Sequence, residues 1–121
     1  RQVDAGADII IGHHPHVIQG VEVYNQGLIA YSLGNFIFDQ NWSDETREGL
    51  VLELCLKDSG LEGAKLLPVI IIESQPKFEQ TEWARRGAGK GREDSADLGA
   101  DCEIKENPLE VIICRPEYHV R

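Results

Sequence analysis

The strongest constraint on the fold is an alternating run of residues between positions 50 and 57. Leucine occupies every second position from 50 to 56, while Glu53 and Lys57 lie between or after the leucines. A period of two places successive side chains on opposite faces of an extended chain, so this run predicts a half-buried β-strand. A turn sequence at 58–60 leads into a second apolar run at 64–72, which predicts a further strand.

Four short segments precede this run. Residues 1–6 resemble the last turn of a helix closed by a glycine cap. Residues 8–12 form a continuous apolar run rich in isoleucine, which predicts a buried parallel strand. Residues 21–24 and 28–33 flank a tight turn and predict a β-hairpin. The first seventy-odd residues therefore predict one helix end and four or five strands, mostly antiparallel, with a polar surface loop at 39–48.

The pattern changes beyond Pro76. Residues 78–86 are compatible with a short helix that has Trp83 on its apolar side. Residues 87–101 contain four glycines and many charges, which predicts a mobile loop or linker. Residues 109–114 predict a last strand, at a sheet edge because Pro108 and Pro116 flank it.

Composition restricts the classes of function. The formal charge of −9, from 21 acidic and 12 basic residues, argues against nucleic-acid binding, which depends on Lys and Arg contacts to phosphates. No apolar run approaches the ~18 residues of a membrane span, and no signal peptide is visible. Because the chain contains no Met, we expect a fragment of a longer protein. Any signal or anchor would then lie upstream, which leaves the localisation of this chain open.

Three histidines directly follow the first predicted strand: His13, His14 and His16. Ligands of α/β proteins often bind outside the carboxyl ends of strands, and imidazole is a common metal ligand. In an extended segment His14 and His16 would converge, whereas His13 would orient a ligand or face solvent. Two histidines are fewer than the three or four ligands of a typical site. A polar loop without a metal is an equally weighted alternative on spacing alone.

Two longer motifs resemble one protein family. The sequences GADIIIGHHPHVIQG at 6–20 and YSLGNFIFDQ at 31–40 resemble the bacterial capsule synthesis (CapA, poly-γ-glutamate biosynthesis) family. The resemblance covers residues 1–76, which would form the C-terminal portion of a CapA-like metallophosphatase domain. Residues 77–121 match no motif of the family and are interpreted as a divergent tail.

The resemblance implies an α/β fold of the calcineurin-like metallophosphoesterase type, a β-sandwich flanked by helices, of which this chain would be a mostly β part. It implies a dinuclear Mn, Fe or Zn centre in the longer protein, with His14 and His16 each contributing a ligand. His13 would be a weaker ligand candidate, or would orient a ligand without touching the metal. Asn35 and Ser32, in the second motif, would lie beside the site as candidate catalytic residues that either shape the site or contact substrate.

The family implies two alternative functions. The first is a metal-dependent phosphoesterase that acts on a phosphoester or a poly-γ-glutamate-related substrate. The second is a non-catalytic assembly or polymer-handling component, and a truncated remnant is a third possibility. The implied partners are the missing N-terminal half of the same domain and capsule-synthesis membrane proteins at the cell envelope. Because the family's upstream ligands are absent from this chain, we expect the chain alone to be catalytically inactive.

Overall fold

The structure consists of two β-sheets and one long helix. The computed structural model describes residues 2–58, 60–78, 82–98, 101–106 and 109–114. The strands are β1 (Ile9–Ile11), β2 (Val21–Tyr24), β3 (Gly27–Ala30), β4 (Glu48–Lys57), β5 (Gly60–Ile72), β6 (Gln75–Lys77), β7 (Asp101–Lys105) and β8 (Glu110–Cys114). The helix α1 spans Glu82–Asp97, and a 3₁₀ turn spans Glu45–Arg47. The expectation of a mostly β chain is confirmed.

The smaller sheet has the strand order β1-β3-β2. Strand β1 pairs in parallel with β3, and β2 pairs antiparallel with β3, so the predicted parallel strand and hairpin are both confirmed. The hairpin turn holds Asn25 at φ 47° and Gln26 at φ 69°, the positive values that tight two-residue turns require. The prediction that β1 is buried is wrong, because Ile9 and Ile10 are half-buried and Ile11 is 48% exposed. Within the described residues β1 has a partner strand on one side only.

The larger sheet has the order β4-β5-β8-β7, with β6 paired to the end of β5. Strands β4 and β5 pair antiparallel in a long hairpin, which confirms the strand predicted from the leucine alternation and the further strand predicted after the turn at 58–60. Burial declines along β4, from Leu50 at 4% exposed to Leu56 at 61%. Strand β8 lies between β5 and β7, so the prediction of an edge strand at 109–114 is wrong. Pro108 and Pro116 flank the strand and leave the amides within it able to pair.

Helix α1 overturns the expectation of a mobile linker at 87–101, because residues up to Asp97 are helical. The buried glycines on this helix pack closely against the sheets: a Cβ at Gly91 would lie 3.3 Å from Leu50 Cδ1, and one at Gly87 would lie 3.7 Å from Ile18 Cδ1. Tertiary packing of this kind offsets the low helix propensity of glycine. The helix begins at Glu82, later than predicted, and the side chain of Trp83 lies outside the described part.

A single hydrophobic core joins both sheets and the helix. Its most deeply buried members are Ile18, Val21, Leu28, Leu66, Ala88 and Val111. The two sheets are also joined through the backbone, since Gly34 bridges to Gly49 and the Leu50 amide donates to the Leu33 carbonyl at 2.7 Å. This link places the chain around residue 35 on the start of β4. No helix in the described ranges is long and apolar enough to cross a membrane.

Candidate functional site

The three clustered histidines lie in a bent loop directly after β1. His13 and His14 are exposed, and His16 is half-buried. His14 has a φ of 109° and His16 a φ of 61°, so the segment is not extended. The alternation argument that placed His14 and His16 on one side is therefore wrong for this loop. The bends nevertheless keep the two rings close, with centroids 6.4 Å apart.

Positive φ values at two non-glycine residues in one short loop are unusual. Such conformations cost free energy and are found where the surrounding structure holds the backbone in place, often at functional sites. The Gly12 amide, just before the loop, donates to the Ala30 carbonyl at 2.7 Å, and the Gln19 amide after it donates to the Ser32 carbonyl at 2.9 Å. Both ends of the histidine loop are thus fixed to the same neighbouring segment.

Asn35 contacts His16 directly. Its Oδ1 lies 2.8 Å from His16 Nδ1, and its Nδ2 donates to the Thr46 carbonyl at 2.9 Å and to Gln40 Oε1 at 3.0 Å. Because the Thr46 carbonyl can only accept, the amide must present its NH₂ group there and its oxygen to the histidine. Asn35 is only 6% exposed, so water competes little for these hydrogen bonds.

This contact determines the tautomer of His16. An amide oxygen accepts a hydrogen bond, so Nδ1 carries the proton and Nε2 keeps its lone pair while the ring is neutral. A histidine whose Nδ1–H is held by a side-chain oxygen is the arrangement in which metal-binding imidazoles are usually oriented. His16 is therefore prepared to act as an Nε2 ligand or proton acceptor, with Asn35 behind it.

Ser32 lies beneath the loop. It is 1% exposed, its Oγ accepts a hydrogen bond from the Gly34 amide at 3.3 Å, and its carbonyl accepts from the Gln19 amide. These contacts hold the turn that carries Asn35. Of the two roles expected for Ser32, they match the shaping of the site, and contact with substrate stays a prediction.

The acidic residues of the neighbouring loop do not join the histidines. Asp44, in the polar loop at 39–48, pairs with Arg47 at 2.7 Å and with Arg86 at 3.5 Å. Among the described residues, no three His, Cys, Asp or Glu side chains converge on one point. The structure thus brings His14, His16 and Asn35 together without a third metal-type side chain from this part of the chain.

The segment 46–49 supports Asn35, and sequence reasoning assigned it no role. The Thr46 carbonyl accepts from Asn35 Nδ2, and Thr46 Oγ1 donates to the Gln40 carbonyl at 2.7 Å, which closes the loop around the amide. The Asn35 backbone oxygen lies against the Cα of Gly49 with no space for a Cβ. A glycine immediately before an alternating strand was the one available sign of such a close approach.

One aromatic side chain packs against the half-buried His16, and two further apolar side chains of the same loop are exposed. The Phe38 ring lies 5.0 Å from the His16 ring between centroids. Ile37 and Trp42, in the same loop, are 72% and 73% exposed. Large exposed apolar side chains that lie close together in one loop are typical of surfaces that contact another molecule.

The residues of this site belong to a sequence pattern that is shared with known proteins. The sequence model of a family described as bacterial capsule synthesis protein PGA_cap matches residues 1–40, the span that carries the histidine loop and Asn35. A protein named capsule biosynthesis protein CapA, from Bacillus anthracis, is 52% identical over 109 residues, which are 90% of this chain and 26% of that protein. The PGA biosynthesis protein CapA of Bacillus subtilis (strain 168) is 51% identical over 73 residues, 60% of this chain and 19% of that protein. The chain belongs to the bacterial CapA capsule synthesis family.

The chain matches only a small part of each CapA relative. The chain spans about a quarter of the length of the B. anthracis relative and about a fifth of the B. subtilis one. An alignment of 109 residues cannot fit within 1–76, so the similarity continues into 77–121. The family resemblance that the motifs indicated ended at residue 76, so it covered less of the chain than this alignment does. An uncharacterized protein y4sH of Sinorhizobium fredii is 54% identical over 39 residues.

Proposed function

We propose that this chain forms part of a metal-dependent hydrolase-type protein that acts in capsule or poly-γ-glutamate biosynthesis. In this proposal His14 and His16 are metal ligands, and Asn35 orients His16. The names of the two CapA relatives support the biological process. The contact of 2.8 Å between Asn35 Oδ1 and His16 Nδ1 is the observation that supports the site.

The two imidazole side chains are of a chemical type that binds divalent transition metals. Imidazole nitrogen is a ligand for Zn, Mn and Fe, and a side-chain oxygen on the far ring nitrogen increases ligand basicity. The number of donors is short, since typical sites use three or four protein ligands and no larger group exists among the described residues. The proposal therefore requires additional ligands from outside the described part of this chain.

A divalent metal centre, when bound, would polarise a phosphoester and supply a nucleophilic hydroxide near neutral pH. The residues of this chain would then have specific tasks. His16 would present Nε2 while Asn35 holds its Nδ1 proton, and the buried Ser32 would fix the turn behind both. Phe38, in contact with the His16 ring, would limit the access of water on one side.

The calcineurin-like architecture is also part of the proposal. Support comes from the two sheets around one core, the long helix, and the position of the histidine loop at the carboxyl end of the parallel strand β1. That end of a parallel strand is the usual place for ligands in α/β proteins.

A second function, non-catalytic polymer handling, is favoured by one observation. The exposed side chains of Ile37 and Trp42 lie in the loop that follows Asn35, where they could contact a large partner without any metal chemistry. The two functions differ in what they require, since only the first depends on the imidazoles as ligands.

Titration of the ¹⁵N-labelled chain with Mn²⁺ tests the ligand assignment. Paramagnetic broadening should centre on the rings of His14 and His16, and His14→Ala or His16→Ala should remove most of it. Asn35→Ala should weaken binding by about 10–100-fold, the usual effect of losing the residue behind a ligand. His13→Ala is the matched control, because it removes an exposed imidazole from the same loop, and it should leave the titration nearly unchanged.

Two outcomes would contradict the proposal. Broadening that is equal in the parent and in the His14→Ala/His16→Ala double variant would exclude these side chains as ligands. If binding of poly-γ-glutamate by the chain were lost in Trp42→Ala and were the same with and without Mn²⁺, the polymer-handling function would be favoured instead.

A further inference from the structure

Helix α1 is connected to the segment beneath the candidate site by one arginine. Arg86 donates from Nε to Glu48 Oε1 at 2.9 Å and from Nη2 to the same oxygen at 2.7 Å. The Glu48 side chain is 4% exposed, whereas that of Arg86 is 56% exposed. A second carboxylate, Asp44, lies 3.5 Å from Arg86 Nη2. The guanidinium therefore provides charge compensation and hydrogen bonds to a carboxylate at the start of β4 that is almost fully removed from water.

Glu48 lies within the segment that holds Asn35. Two residues before it, the Thr46 carbonyl accepts from the Asn35 amide, and one residue after it, Gly49 lies against the Asn35 backbone oxygen. The Glu48 amide itself donates to the Glu45 carbonyl and closes the 3₁₀ turn. Both the side chain and the backbone of Asn35 therefore depend on where residues 46–49 lie.

We propose that Arg86 is a positioning residue for the candidate site and acts through Glu48 and Asn35 on His16. Arg86 fixes the start of β4, this segment fixes the Asn35 amide, and the amide oxygen selects the Nδ1–H tautomer of His16. The inference rests on the role that the proposed function gives to His16. It assigns a task in the site to helix α1, whose residues sequence analysis placed partly in a linker.

The alternative is that the pair of Arg86 and Glu48 only stabilises the fold. A matched control exists on the same helix, because the preceding residue, Arg85, donates from Nε to Glu106 Oε1 at 3.0 Å. Both of these side chains are exposed, 41% for Arg85 and 55% for Glu106. Glu106 follows β7, whose neighbour in the sheet is β8 and not β4. A site-specific role therefore belongs to Arg86 and not to Arg85.

The test reads the His16 tautomer by NMR in the full, metal-free 121-residue chain with ¹⁵N-labelled histidine. Long-range ¹H–¹⁵N spectra at a pH where the ring is neutral distinguish a protonated Nδ1 from a protonated Nε2. We expect the parent to be mainly Nδ1–H. Arg86→Gln should lower the ratio of Nδ1–H to Nε2–H by about two- to tenfold, the factor that one net hydrogen bond carries. Arg85→Gln should leave the ratio unchanged.

Two further variants complete the test. Arg86→Lys keeps the charge but lacks the planar fork that bonds Glu48 twice, so it should change the ratio less than Arg86→Gln. In an Asn35→Ala background, Arg86→Gln should cause no additional change, because the route to His16 is already interrupted. If Arg86→Gln does not fold, the same measurement on Arg86→Lys decides the test, because lysine keeps the positive charge beside Glu48.

The results that would overturn the inference are specific. An unchanged His16 tautomer ratio in a folded Arg86→Gln or Arg86→Lys variant would do so. So would an equal change in Arg85→Gln, or an additional effect of Arg86→Gln when Asn35 is already alanine. Because the protein is metal-free, these results do not depend on the Mn²⁺ titration, and a failure of the ligand assignment remains a separate finding.

Discussion

The close packing of β2 against helix α1 allows one stability prediction to be worked out in detail. Gly20 is buried immediately before β2, and a Cβ there would lie 2.5 Å from the Ser95 amide nitrogen and 2.6 Å from the Asp94 carbonyl oxygen. Both atoms belong to the helix backbone, so no side-chain rotation can relieve the overlap. In Gly20→Ala the helix must move away from the strand.

Two costs follow from this movement. Forcing an extra methyl group into a packed interior costs about 1–3 kcal/mol. The movement also stretches the buried hydrogen bond from the Val21 amide to Ser95 Oγ, now 2.9 Å, and a buried donor left without its acceptor costs about 1–3 kcal/mol. Alanine reduces the entropy of the unfolded chain, which returns about 0.4–1 kcal/mol. The net loss should therefore be about 1–6 kcal/mol, a large part of the ~5–15 kcal/mol of a typical domain.

The same substitution at Gly89 is the matched control. Gly89 lies within α1, and a Cβ there would meet nothing within 4 Å. Gly89→Ala should therefore stabilise the chain by about 0.5–1 kcal/mol, the advantage of alanine inside a helix. Urea unfolding at 25 °C, followed by circular dichroism, gives both free energies of unfolding. Equal stability of Gly20→Ala and the parent would refute the close packing of the helix backbone on β2.

Three further predictions concern the core, the helix contact and activity. Leu66→Ala removes a side chain with 0% exposure and should lower the free energy of unfolding by about 2–5 kcal/mol, measured by urea unfolding. Leu56→Ala, at 61% exposure, should stay within about 0.5 kcal/mol of the parent. Equal effects of the two substitutions would contradict the described burial. Ser95→Ala should cost about 1–3 kcal/mol and speed hydrogen exchange at the Val21 amide, and unchanged exchange there would exclude the hydrogen bond. The purified 121-residue chain should not hydrolyse p-nitrophenyl phosphate or a phosphodiester analogue with Mn²⁺ or Zn²⁺ present, and clear turnover that is lost in His16→Ala would show that our ligand count is too low.

The components of the candidate site differ in how far sequence predicts them. The histidine cluster and Asn35 stand out as motifs, because residue type and order suffice to find them. The contact between His16 and Asn35 joins residues that are 19 positions apart in the chain, so it forms only when the fold brings β1 and β3 together. The bent backbone at His14 and His16 was not foreseeable, since no glycine marks those positions and the positive φ values depend on surrounding contacts.

The first hairpin and the leucine strand are determined by local sequence, because a period of two and turn residues act over a few neighbouring positions. The glycine-containing helix α1 and the interior position of β8 were decided by tertiary structure. Local propensity disfavours glycine in a helix, yet the absence of side chains at Gly87 and Gly91 lets α1 approach Ile18 and Leu50 closely. The contact of Arg86 with Glu48, 38 residues apart, likewise exists only once the helix has packed on the sheet, and so the sequence reveals the ligand candidates but not what holds them.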